Sequence, residues 1–137
     1  MENTIKTAFE ATNTELQALH AEADTIQAYM SIPVDLEDPA SLTYRLKNLD
    51  VYMARLSDMM IRARAMKDRA QNNYLEENED RLNKLTATIS NRLIAKNLFE
   101  YTIAYSRLET MYETLKHLSR NLVTQISYIK QQMSAGI

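Results

Sequence analysis

The chain has 137 residues, one domain's worth, with one glycine (Gly136), two prolines (Pro33 and Pro39) and neither cysteine nor tryptophan. So few turn formers exclude all-β and doubly wound folds, and the lack of cysteine excludes disulfides, thiol catalysis and cysteine-based metal centres. The net charge of −2 is unevenly spread: residues 1–40 carry eight acids against Lys6 alone, whereas residues 41–137 are net basic, so the two parts are expected to pair within or between chains.

Residues 3–30 form the first predicted helix. Ile5, Phe9, Thr12, Leu16, Leu19, Ala23, Ile26 and Met30 alternate steps of four and three, a heptad seam behind an N-cap at Asn3. Residues 31–38 are the one advertised loop: Pro33 pushes Ile32 out of helical geometry, and Val34 and Leu36 are expected to pin the loop to the core. Asp38 then caps a second helix that opens with Pro39 at its first position.

The second helix is expected over 39–72, with Leu42, Leu46, Leu49, Met53, Leu56, Met60 and Ala63 as its seam. Asn73 followed by Glu76 has the capping-box form, and Asn72, Asn73 and Asn78 are poor interior residues, which places a break near Gln71 or Asn72. Residues 75–134 read as one long helix or two nearly collinear ones, carrying Ile94, Leu98, Tyr101, Tyr105, Leu108, Tyr112 and Leu115 on one edge. A kink is placed near Lys96-Asn97, and the seam stutters after Leu115. Helices of such unequal length cannot cover each other's seams in one copy. The expected architecture is therefore all-α, a single domain over 1–137 built of long antiparallel helices in a coiled-coil-like helical bundle, completed by homo-oligomerisation.

The chemistry-bearing residues are few. His20 has Asp24 four positions on, and Glu109, Glu113 and His117 share a helical face, but a bundle metal centre needs Glu-x-x-His on two helices and none is present. The expectation is no enzyme, no metal and no cofactor. A basic stripe says more. Arg55, Arg62 and Arg69 recur every seven residues, flanked by Tyr52, Met59 and Met66, with Arg64 and Lys67 alongside. Guanidiniums at about 10 Å intervals suit the phosphates of a small anionic nucleotide or a partner's carboxylates; the alternative is pairing with the acidic first helix or with Asp58 and Asp68. Tyr101, Tyr105 and Tyr112 fall on the seam, where they pack the core or line a groove between subunits and stack on a base. Met53, Met59, Met60 and Met66 offer a soft surface for another helix.

An isoelectric point near 5.7 disfavours generic coating of nucleic acid. No apolar run approaches the roughly 20 residues that cross a bilayer, and no secretory signal is visible, so no membrane partner and a cytoplasmic location are expected.

The stretches IPVDLEDP (residues 32–39), RLKNLDVYMARLSDMM (45–60) and LVTQISYIKQQM (122–133) resemble small all-helical accessory proteins of bacterial phages and prophages. The resemblance implies a bacterial host cytoplasm and action by binding, on host defences or on replication and recombination machinery. It brings no catalytic residues with it. The expected function is a non-enzymatic binding protein that sequesters or inhibits, taking a host defence protein or an anionic signalling nucleotide. Alternatives are an accessory of phage recombination or replication that contacts single-stranded DNA or a DNA-binding protein, and a structural coiled-coil spacer.

Overall fold

In a computed structural model, which describes the backbone of residues 2–136 and the side chains of residues 14–136, the chain forms five helices. They are α1 (Glu2–Met30), α2 (Pro39–Glu77), α3 (Glu79–Asn83), α4 (Ala87–Asn97) and α5 (Phe99–Ala135), with no strand among the described residues. The N-cap expected at Asn3 and the first seam residues Ile5, Phe9 and Thr12 lie outside the described side chains.

The start of α2 follows the sequence. The Asp38 carboxylate accepts from the Ala40 N–H at 3.2 Å and from the Ser41 hydroxyl at 2.6 Å, and Pro39 stands just inside, where a missing N–H costs nothing. The Ser41 hydroxyl holds the Asp38 pKa below the ordinary carboxylate value, and the Ala40 and Ser41 backbone N–H groups act the same way. In the preceding connection Val34 packs on the core as expected. Leu36 does not: its side chain is exposed, and its carbonyl instead accepts from Gln125 Nε2 at 3.0 Å.

Two expectations about the later chain are corrected. First, α2 does not stop near Gln71 or Asn72 but runs on to Glu77. Tyr74 and Leu75 are half-buried there, and α2 packs against α4. Such tertiary contact outweighs the few tenths of a kcal/mol that an asparagine costs in a helix. The break falls at Asn78, whose side chain and backbone N–H both donate to the Tyr74 carbonyl at 2.9 and 3.1 Å.

Second, residues 75–134 are not one helix. The chain turns through Lys84, Leu85 and Thr86, where Thr86 caps α4 and the Ser90 hydroxyl donates to the Leu82 carbonyl at 3.0 Å. The kink expected near Lys96-Asn97 is present as a one-residue interruption at Leu98 between α4 and α5. Asn97 Nδ2 donates to the Leu93 carbonyl, and the Leu98 side chain is buried as an anchor. A stretch without glycine or proline is thus broken at asparagine and threonine, whose side chains supply the capping bonds.

The most extensive interface joins α2 to α5. Arg64 meets Tyr105, while Leu49 lies by Leu122, so these helices are antiparallel and α4 continues the hairpin towards its tip at residues 78–86. The third helix, α1, lies against both, antiparallel to α2 (Tyr29 beside Asn48, Glu15 beside Arg69) and parallel to α5.

The shared core holds Leu16, Leu19, Ala23 and Ile26 of α1, Leu42, Leu49, Leu56, Met59, Ala63 and Met66 of α2, and Ala104, Leu108, Met111, Leu115, Leu122 and Ile126 of α5. Full burial of a leucine is worth about 1.5–3 kcal/mol, so these positions carry the fold. On α2 the buried face is wider than a heptad seam, since two helices flank it. Met59 and Met66 are therefore core residues, with Met53 and Met60 half-buried beside them, so the soft surface expected to take another helix is taken up within this chain.

Candidate functional site

Antiparallel packing of α1 on α2 brings the acidic helix alongside the arginine stripe. Glu22 takes two guanidiniums at once: Arg55 Nη2 lies 3.3 Å from Oε1 and Arg62 Nη2 lies 3.0 Å from Oε2. Arg62 Nε also reaches Asp58 at 3.2 Å, and Arg69 Nη2 holds Glu15 at 2.8 Å. The seven-residue repeat thus reads as a ladder zipping α2 to α1. Its guanidiniums stay roughly half exposed (48%, 45% and 58%), so each pair adds only about 0.2–1 kcal/mol. An anionic ligand at this stripe would meet guanidiniums whose charge Glu22 and Glu15 already partly neutralise.

The other residues singled out in the sequence scatter. Tyr52 sits under Arg55 at 5.7 Å and against Tyr29, with ring centroids 4.7 Å apart. Arg64 points to the opposite side of α2, where Nη2 donates to the Tyr105 hydroxyl at 2.9 Å and the guanidinium lies 5.4 Å from the ring centre. Lys67 is half-buried. Tyr101, Tyr105 and Tyr112 are all half-buried at the edge of the core. The Tyr101 pKa is raised, chiefly by burial, with Glu100 adding to it; the nearby Arg69 and Glu15 charges act in opposite senses. These tyrosines pack the core edge and, within one chain, do not line a groove with Arg55 and Arg62.

Two arginines escaped the sequence reading. Arg45 is the buried charged residue of the core. Its guanidinium donates to the carbonyls of Tyr29 (3.1 Å), Ile32 and Pro33 (3.3 Å) and lies 4.7 Å from the Tyr29 ring centre. It closes the C-terminal end of α1, where the helix dipole favours a cation. A base standing in register between Leu42 and Leu49 was the available signal.

Arg107 locks α1 to α5: it contacts His20 Nδ1 at 3.0 Å, Asp24 at 2.5 Å and Gln27 at 3.0 Å. His20 therefore meets Asp24 through an arginine of another helix, not along its own. Glu109, Glu113 and His117 are exposed on α5, and among the described residues no group of three His, Cys, Asp or Glu side chains could hold a metal ion. No helix among those residues is long and apolar enough to cross a membrane.

A different surface emerges beside the ladder. Tyr44, Val51 and Ile61 stand out from α2 at 68%, 58% and 70% exposure, on one outward row with Lys47, Ala54, Asp58 and Ala65. Glu22, Val51, Ala54, Arg55 and Asp58 frame a shallow depression of about 470 Å³ where this row meets the ladder. Large apolar side chains flanked by arginines are what protein–protein contact surfaces are made of. A second groove, of about 380 Å³, opens where α1 ends, between the 31–38 connection and α5. Ile32, Val34, Leu36, Leu118 and Leu122 line it, with Arg45 behind.

Comparison with known protein families, with curated proteins and with solved structures finds no match.

Proposed function

We propose that this chain is a non-catalytic, self-associating binding protein that acts by occupying another protein through the outward face of α2. The observation that carries the reading is the juxtaposition of Tyr44, Val51 and Ile61 with arginines that Glu22 and Glu15 hold in place. Guanidiniums tied down within the chain form the rim of an apolar contact and make a weaker phosphate clamp, because Glu22 and Glu15 already offset part of their charge. The phage-type resemblance supplies the setting: a host defence protein as target, bound and kept from acting in the bacterial cytoplasm.

The test compares the parent, a Val51→Asp/Ile61→Asp variant and an Arg55→Ala/Arg62→Ala/Arg69→Ala variant. Retention of proteins from host extract is measured alongside calorimetric titration with ATP and with a cyclic dinucleotide. The expected outcome is one retained protein, lost in the aspartate variant and weakened in the alanine variant, with no nucleotide heat. Nucleotide binding by the parent that disappears in the alanine variant would overturn this reading in favour of the nucleotide.

A further inference from the structure

The groove at the end of α1 lies in the lane that α1 itself fills higher in the bundle. Past Met30 no helix follows there: only the 31–38 connection runs alongside, with Val34 packed on the core and the Leu36 carbonyl bonded to Gln125, and α5 continues beneath it. Leu118 is 36% exposed at the groove, Leu122 and Ile126 are buried, Ile129 is half-buried, and Met133 is 61% exposed. Leu122 and Ile126 are covered within the chain, so the ends of this edge, Leu118 and Met133, are the part open to a further helix. The final turns of α5 run past the start of α2, and residues 130–136 are all exposed.

Charge follows the same division. The 31–38 connection forming one wall of the groove carries Asp35, Glu37 and the helix-capping Asp38 and no base, whereas α5 after Glu113 carries Lys116, Arg120 and Lys130 and no acid. Lys130 shares the helical face of Ile126 and Met133. Among the described residues none of Asp35, Glu37 and Lys130 is in an ion pair. An apolar groove with an acidic wall and an apolar helix end with one base are complementary, and both belong to this chain.

Area leaves room for a second copy as well. A compact monomer of 15.8 kDa exposes about 7,300 Å², whereas this chain exposes 9756 Å². The surplus of about 2,400 Å² exceeds the roughly 800 Å² per partner that a stable dimer buries. The geometry points to a homodimer in which the C-terminal end of α5 from one copy lies antiparallel in the groove of the other, and reciprocally. Met133 of each copy then sits by Leu118 of the other, and Lys130 faces the other's Asp35 and Glu37, about a two-fold axis near Gln125 and Ile126. This inference rests on the self-association proposed above and assigns its surface.

The chain has no cysteine, so introduced thiols report cleanly. Positions 118 and 133 are about 22 Å apart along one helix, too far to bridge within a chain. Under mild oxidation the Leu118→Cys/Met133→Cys variant should form a covalent dimer, and either single variant should not. Lys130→Glu should weaken dimerisation at least tenfold by sedimentation, and adding Asp35→Lys and Glu37→Lys should restore it.

If the double variant cross-links no better than the single ones while sedimentation still shows dimers, the assigned surface is wrong and self-association stands. If sedimentation shows monomers at every concentration, both fail. If a monomeric Leu118→Cys thiol is shielded only when the retained host protein is added, the groove belongs to that protein, and the homodimer is overturned.

Discussion

Arg45 and Arg55 sit ten residues apart on one helix and do different work. Arg45 is buried and is the donor for three carbonyls at the end of α1. Removing it strands those acceptors, so Arg45→Ala should cost about 2–4 kcal/mol in urea unfolding. Arg55→Ala removes half of a shared, exposed pair and should cost under about 1 kcal/mol, an effect that shrinks further in high salt. Equal losses would contradict the division between clamp and ladder.

At Asp38 the sign of the pH effect follows from its lowered pKa. The contribution is present above the ordinary carboxylate range and is lost as pH falls through the folded-state value. Asp38→Asn keeps a capping side chain but cannot titrate, so its unfolding midpoint should fall less steeply than the parent's once pH drops below the ordinary carboxylate range. A parallel decline in the two proteins would remove Asp38 from the acid response.

The helices were legible where side chains repeat and illegible where they stop for reasons of packing. Leu16, Leu19, Ala23 and Ile26, and then Leu42, Leu49, Leu56 and Ala63, are read directly from spacing and are buried. The end of α2 was misplaced because Asn73 and Glu76 imitate a capping box, while the packing of α2 against α3 and α4 is tertiary and leaves no mark in the local pattern. The arginine row was legible as a row, and its spacing could not say whether a ligand or Glu22 would fill it. Only the direction of α1 decides that. Tyr44, Val51 and Ile61 went unnoticed because their row is interrupted by Lys47 and Asp58 and reads as ordinary surface.

Asn73 offers a clean check at this scale. As an exposed interior residue of α2, its replacement by alanine should raise stability by a few tenths of a kcal/mol. If it were instead the N-cap of a new helix, the same change would lower stability by about 1 kcal/mol. The sign of the shift in thermal midpoint separates the two.

At the scale of the molecule, the case for assembly changes its footing. Unequal helix lengths no longer motivate it, because the presumed third helix is broken at Asn78, Lys84–Thr86 and Leu98, and α2 and α5, at 39 and 37 residues, match well. Surface motivates it instead: an elongated hairpin with one covering helix leaves apolar edges at Val51 and Ile61 and again at Leu118 and Met133. The ion-pair ladder and the Arg107 lock hold α1 in its place, so those edges are fixed features of a rod and ready to be covered. Concentration-dependent light scattering asks the question outright: the account requires a particle of twice 15.8 kDa that dissociates on dilution, and a constant single-chain mass at all concentrations would contradict it.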